Sequence, residues 1–349
     1  MNHDFAESLR NSVLDALAEQ RPLSILGSGS KAFYGRASAR PTLEVSGHRG
    51  ILEFEPTELV VTARAGTPLA EIEDLLGRHG QMLGFEPPHF GVGDTLGGTL
   101  ACGFSGPRRP YAGSARDCVL GCKILNGKGE ILSFGGRVMK NVAGFDLSRL
   151  MVGALGTLGI LLEASLRTLP RPECELTRVL EMSATEALAA MSRWSGESRP
   201  LSGLAHVENR IYVRLAGAER AVRSAGSALG GEALAEGESF WCDLRDQRLE
   251  FFPSPSTLWR FSLAPAALPS PGDWLYDWGG AQRWLKSDAP PERIFALAES
   301  LGGYATRFRG NPVHVFQSLP PGLLALHRKL KRAFDPHGLL NPGHLHEAF

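Results

Sequence analysis

The chain has little cysteine and none of it is clustered. Its five cysteines, Cys102, Cys118, Cys122, Cys174 and Cys242, are odd in number and form no C-x-x-C pair. That spacing argues against a disulfide framework and against a cysteine-ligated iron–sulfur cluster within the chain, and free thiols in a reducing compartment are expected. An excess of one charge is also missing, since 37 Lys plus Arg balance 37 Asp plus Glu. General nucleic-acid binding needs a concentrated basic footprint and is not expected. The N-terminal MNHDFAESLR lacks a basic stretch followed by an apolar one, so no secretory signal is read there. The most apolar run, residues 150–162, is broken by three glycines. It is shorter than the ~20 residues of a spanning helix. A soluble, cytoplasmic protein is expected, meeting a membrane only peripherally, through partners. No internal repeat and no low-complexity tract is found.

Apolar residues make up 43% of the 349, enough to bury real cores. At ~150 residues per domain, two domains are expected. Glycine is abundant, at 41 residues, with no collagen-like period. Such an excess is expected at turns and in loops that approach a ligand closely.

Phe5, Leu9, Val13 and Leu17 recur every four residues, a helical stripe that Pro22 ends. Residues 23–26, 43–45, 51–54 and 59–63 read as short strands. Thr67-Pro68 reads as the N-cap and first position of a helix that buries Leu69, Ile72, Leu75 and Leu76. Residues 91–106 hold six glycines in sixteen and read as a loop with about one helical turn. Residues 117–125 and 130–134 form a hairpin around Asn126-Gly127-Lys128-Gly129, with Cys118 and Cys122 on one strand face. A turn and strand over 155–166 leads to Pro170-Arg171-Pro172, the best domain boundary. Beyond it, helices at 185–194 and 219–229 and strands at 203–207 and 211–216 suggest a small α+β unit. Residues 252–273, rich in Pro and Ser, read as loop. A basic helix over 323–334 should turn His327, Arg328, Lys329, Lys331 and Arg332 to solvent. His344 and His346 then lie in an exposed tail.

Two glycine loops carry the chemistry. Residues 27–35, GSGSKAFYG, follow an apolar strand and offer several main-chain N–H groups at close range, as a phosphate oxygen requires. The match to G-x-G-x-x-A does not make a Rossmann unit, because no helical stripe follows. Alone, this loop reads equally as a structural turn or a phosphate cradle. The second loop, from Asp94-Thr95-Leu96-Gly97-Gly98-Thr99, tilts the balance: two bare stretches can grip one pyrophosphate from two sides. Neither loop contains G-K-S/T, so a Walker-type NTPase is unsupported.

The succession GDTLGGTLACGFSG, the 117–125 hairpin, KNVAGFDLSRL (140–150) and GALGTLGILLEASLRTLP (153–170) resembles the FAD-binding domain of the vanillyl-alcohol oxidase/PCMH flavoproteins. AGTPLAEIEDLL fits the upstream half of that domain. Asp335-Pro336 and Asn341-Pro342-Gly343 look like the family's C-terminal motif that returns to the flavin. The short length and the segment WGGAQRWL (278–285) are most similar to the FAD-binding E subunits of bacterial glycolate oxidases.

The resemblance implies an α+β fold with a PCMH-type FAD-binding domain of two α+β subdomains over 1–172. It also implies an α+β cap over 173–320 and a C-terminal helix and tail over 321–349. It places Gly27, Ser28, Gly29 and Ser30 at the pyrophosphate, with Thr95, Gly97, Gly98 and Thr99 in the second loop. Gly103, Gly113 and Asp117 match positions beside the flavin or its ribityl chain, Gly159 and Ile160 the turn that meets the cofactor, and Asn341 a residue near the isoalloxazine ring. Ser30 stands where covalent members carry histidine, so non-covalent FAD is expected. The H-x-G-D-G-N-x-H metal motif of the family's 2-hydroxy-acid dehydrogenases is absent, and no metal is expected.

The implied function is that of the FAD-binding subunit of a glycolate (2-hydroxy-acid) dehydrogenase complex. It would be a hetero-oligomer with a catalytic flavoprotein subunit and an iron–sulfur subunit. A free-standing FAD hydroxy-acid oxidase and a structural subunit without catalysis are the rivals. Oxidising a hydroxy acid needs a cation for the carboxylate and a base near neutral pKa. Arg283, then Arg307 and Arg309, are candidates for the cation, and His314 and His206 for the base.

Overall fold

The computed structural model describes residues 3–37, 39–136, 146–311 and 313–349. Residues 140–145 of the KNVAGFDLSRL segment lie outside them. The chain divides into two compact units, one of Met1–Phe104, Ser114–Pro170 and Ser318–Phe349, the other of Ser105–Gly113 and Arg171–Gln317. Both mix helix and sheet, so the class is α+β.

The first unit is built on a five-stranded antiparallel sheet, in the order Ile51–Glu55, Val60–Arg64, Ile160–Arg167, Val119–Leu125, Ile131–Gly135. Helix Leu69–Arg78 lays Leu69, Ile72 and Leu76 against Val61, Ala63, Ala164 and Leu166. Helix Ala6–Ala18 buries Leu9, Val13 and Ala16 in a second cluster with Leu125, Ile160, Leu162 and the C-terminal Leu339 and Leu340. Ser24–Leu26 and Thr42–Glu44 form a separate parallel pair.

The second unit holds an eight-stranded antiparallel sheet, running Glu232–Ala233, Cys174–Glu181, Arg210–Gly217, Leu201–Val207, Asp273–Asp277, Gln282–Lys286, Leu258–Ser262, Tyr304–Arg309. Helices Ala184–Ser195, Glu219–Leu229 and Pro291–Ser300 contribute Met191, Trp194, Val222, Ile294 and Ala298 to its core. The first of these starts at a reciprocal cap: Ser183 N–H donates to Glu186 Oε2 at 2.9 Å, and Glu186 N–H to Ser183 Oγ at 3.4 Å.

Several local expectations change. Thr67 does not cap its helix. Its Oγ1 accepts from Gly50 N–H at 2.9 Å, and Pro68 occupies the cap position. Residues 91–106 contain a true helix, Leu96–Cys102, capped by Thr95, whose Oγ1 accepts from Gly98 N–H at 3.2 Å. Cys118 ends a short helix, Ala115–Cys118, rather than sharing a strand with Cys122. Strand Leu258–Ser262 crosses the stretch read as loop, because its neighbours supply the ladder that its Pro- and Ser-rich flanks conceal. Residues Ser105–Gly113 pack in the second unit: Trp278 Nε1–H donates to Gly106 O at 2.9 Å, the Arg109 guanidinium lies 4.3 Å from the Trp278 ring, and Arg108 pairs with Glu175.

Candidate flavin site

Strand Ser24–Leu26 delivers the first glycine loop into a cavity of about 310 Å³ in the first unit. Among the described residues, the main-chain N–H groups of Gly27, Ser28, Gly29, Ser30 and Lys31 find no protein acceptor, whereas Ala32 and Tyr34 close turns onto Gly29 O and Lys31 O. Five consecutive residues with unpaired N–H groups thus line the cavity, the kind of donor row an anion takes up. Gly27 is required by crowding, since a Cβ there would lie 2.8 Å from Thr95 Oγ1.

The second loop forms the opposite wall and differs from the expectation. Its amides are occupied: Leu96 N–H donates to Thr67 O, Gly97 N–H to Ala65 O, Gly98 N–H to Thr95 Oγ1 and Thr99 N–H to Thr95 O. Its glycines serve close packing instead, as a Cβ on Gly97 would sit 2.7 Å from Ala65 Cβ. The two loops are joined by an ion pair, Lys31 Nζ to Asp94 Oδ1 at 2.8 Å, whose side chains are 7% and 1% exposed. Burial raises the Asp94 carboxyl pKa, but bonds from Lys31, Ser30 and Phe90 bring it below the ordinary value.

The C-terminal motif closes the cavity. Asn341 Oδ1 accepts from Ile25 N–H and its Nδ2 donates to Leu155 O, both at 2.7 Å, so its amide ties the first strand to the 155–160 turn. His344 also lines the cavity, with Nδ1 2.7 Å from Arg36 O. A carbonyl accepts only, so Nδ1 carries the proton and Nε2 keeps its lone pair. Burial lowers the His344 pKa, which favours the neutral ring. The ring lies where a side chain on Gly35 would be, 2.6 Å from that Cβ, and Gly35 has φ +100°. Below this, Lys331 Nζ donates to Thr157 O, Asp335 Oδ2 and Leu340 O at 2.8, 2.6 and 2.7 Å. Asp335 in turn accepts from the Leu339 and Leu340 amides. Lys331, expected on a solvated face, is therefore a buried clamp, because its ammonium finds three acceptors that satisfy all three of its donors.

Of the residues expected at the cofactor, Gly27, Ser28, Gly29, Ser30, Thr95, Gly97, Gly98, Gly159, Ile160 and Asn341 line this one cavity. Thr99 is fully buried beside it, with Oγ1 lacking a partner. Gly103 is the left-handed cap of helix Leu96–Cys102. Asp117 accepts from Ser114 N–H at 2.9 Å and so caps Ala115–Cys118, and Gly113 belongs to the second unit. Lys31, Asp94 and His344 were missed. The adjacency of Lys31 and Asp94 to the glycine runs, and of His344 to Asn341-Pro342-Gly343, was the available signal.

The donor set fits FAD. Among the described residues, no side-chain carboxylate lines the cavity, while Lys31, Arg36 and residues with free amides do, as a diphosphate requires.

The catalytic candidates all lie in the second unit. Arg283 is 1% exposed and donates to Gly280 O, Leu268 O and Ala267 O at 3.0, 2.9 and 2.5 Å. Its guanidinium holds a loop and is withdrawn from any substrate carboxylate. Arg307 bonds Asn311 O and Val313 O, and Arg309 bonds Gln247 Oε1. His206 is buried with Nε2 2.9 Å from Met182 O, and His314 is exposed at φ +53°. Among the described residues, no cluster of three His, Cys, Asp or Glu side chains is placed to hold a metal, and no helix is long and apolar enough to cross a membrane.

Comparison with known proteins bears on this geometry. An FAD-binding-domain family model matches residues 5–135, and the C-terminal domain of FAD-linked oxidases matches 314–345. The glycolate oxidase subunit GlcE of Escherichia coli is 49% identical over 345 residues, 98% of each chain. The glycolate oxidase subunit GlcD of Bacillus subtilis is 34% identical over 127 residues, 36% of this chain and 27% of that protein. Among solved structures, p-cresol methylhydroxylase aligns with a TM-score of 0.73 at 15% identity, covering 99% of this chain and 88% of that one, which shows the fold. The chain thus belongs to the FAD-linked oxidases, in the family that includes the glycolate oxidase subunit GlcE.

Proposed function

We propose that this chain is the FAD-binding subunit of a glycolate, or closely related 2-hydroxy-acid, dehydrogenase complex. The observation that carries the reading is its near end-to-end identity to a protein named as a glycolate oxidase subunit. The row of free amides in a cavity lined by Lys31 and Arg36, and by no carboxylate among the described residues, supports it. FAD, when bound, supplies the hydride acceptor for oxidation of the alcohol. The chain's own residues bind and orient that group. The amides of residues 27–31 meet the diphosphate, and Lys31 and Arg36 add positive charge. Asn341 fixes the wall made by Ile25 and Leu155. Binding is non-covalent, with Ser30 where covalent relatives carry histidine. The unclustered cysteines imply that electrons leave through other chains, a catalytic flavoprotein subunit and an iron–sulfur subunit. Any contact with a membrane is peripheral and made through those partners.

The test is anaerobic addition of glycolate to the FAD-loaded chain alone and to the complex purified with it. Bleaching of the flavin in the complex, with little in the isolated chain, is the expected result. Fast bleaching in the isolated chain would make it a free-standing oxidase and overturn the subunit reading.

A further inference from the structure

We propose that the buried Lys31–Asp94 ion pair is a positioning clasp, fixing the amide-bearing loop against the second glycine loop so that its donors converge on the FAD diphosphate. This rests on the flavin reading above and names how the site is held.

Residues 27–31 are held internally by the Ser28 Oγ–Ser30 Oγ bond at 3.2 Å and by two turn bonds, Ala32 N–H to Gly29 O and Tyr34 N–H to Lys31 O, both 3.0 Å. Further along, Phe33 and Tyr34 pack on Phe90 and Phe104, and Arg36 bonds His344, so Lys31 is the charged tie nearest the five amides. Asp94 sits on a fixed base. Its main-chain O accepts from Leu69 N–H at 2.7 Å, and the residues after it are bonded to Ala65 and Thr67. Its Oδ2 accepts from Phe90 N–H at 2.6 Å, which leaves Oδ1 aimed at Lys31 Nζ, 2.8 Å away. Lys31 also reaches Ser30 Oγ at 3.4 Å. The ammonium therefore anchors the C-terminal end of the run of five free amides to the rigid wall across the cavity.

A buried ion pair is seldom more stabilising than apolar packing of the same volume, because both charges lose their hydration. Its best-attested value is registry, and registry is what a row of unpaired donors needs. Lys31 lines the cavity and Asp94 does not, so the pair presents its cationic member to the ligand.

The experiment compares Asp94→Asn, Lys31→Met and Lys31→Arg with the unaltered chain by quenching of flavin fluorescence, with ADP as a competitor. Asp94→Asn preserves shape and leaves the Lys31 charge in place. Loosening the loop loses about one amide–phosphate bond, and a hydrogen bond to a charged group is worth more than a neutral one. FAD and ADP should therefore weaken by about 30-fold, which is ~2 kcal/mol. Riboflavin, which lacks the diphosphate, should bind as before. Lys31→Met should weaken FAD and ADP at least as much as Asp94→Asn, because it also removes a positive charge from the cavity, and Lys31→Arg, which keeps the pair, should stay near the unaltered affinity. Equal weakening of FAD and riboflavin, or unchanged FAD affinity in Asp94→Asn, would overturn the clasp. Hydrogen exchange without flavin tests it independently of the cofactor. The Ala32 and Tyr34 amides should exchange faster in Asp94→Asn while strand Ile160–Arg167 is unaffected, and unchanged loop exchange refutes the clasp. Failure of the unaltered chain to bind FAD, with faster loop exchange in the variant, would instead refute the flavin reading.

Discussion

Replacing Lys331 by methionine probes how the C-terminal motif reaches the cavity. The side chain keeps its length and apolar stem and loses an ammonium that serves Thr157 O, Asp335 Oδ2 and Leu340 O. Two carbonyls and a carboxylate are then left buried without that donor. Removing one member of a buried pair costs about 3–5 kcal/mol. Asp335 retains the Leu339 and Leu340 amides, 3.0 and 2.8 Å away, which places the loss at the lower end, ~3 kcal/mol. That is a large share of the ~5–15 kcal/mol typical of a domain. The measurement is urea unfolding followed on the transition of the first unit, with the midpoint shift multiplied by its slope. Because Asn341 lies one residue beyond Leu340, FAD affinity should fall in the same variant. A loss under ~1 kcal/mol would mean the ammonium is not the clamp that its three contacts describe.

Asn341→Ala should weaken FAD binding and lower stability by about 2–4 kcal/mol, because the Ile25 N–H and Leu155 C=O lose their buried partner; flavin titration and unfolding check both. Arg283→Met should lower stability by about 2–4 kcal/mol through three orphaned carbonyls, with unchanged FAD affinity; a lost flavin site at normal stability would contradict the loop-holding role. Burial lowers the pKa of His206, with its Met182 bond opposing. Its charged form thus favours the unfolded chain. Stability is intact above the ordinary pKa of ~6.5 and declines as pH falls through the window below it. His206→Phe should make the decline in thermal stability from about pH 7.5 to 5 shallower, with the remainder due to other histidines whose pKa burial lowers, such as His48 and His344.

Elements whose apolar stripe is bounded by clear breakers were legible in the sequence. The helix read over 219–229 appears at those bounds, ended by Gly230, and the Leu9–Val13 stripe marks the N-terminal helix. Strand Leu258–Ser262 was hidden because its partners come from 282–286 and 304–309, a tertiary fact no local window contains. The flavin cavity was legible as two glycine loops, but glycine density reports room and not which donors are free. The second loop has the glycines, yet its amides are already bonded. Lys331 was misread for a related reason. Helical spacing put it among exposed cations, while its acceptors Thr157 and Leu340 lie in other segments. Lys31 and Asp94 are far apart in sequence, and nothing local announces that they meet.

The most direct test of the central claim, that residues 27–31 hold the diphosphate of a non-covalently bound FAD, is the visible absorbance of the purified chain after loading with FAD and desalting. The expected result is a flavin spectrum at one equivalent per chain that moves wholly to the supernatant on acid precipitation and is displaced beforehand by excess ADP. A colourless chain after loading, or flavin that ADP does not displace, would contradict it.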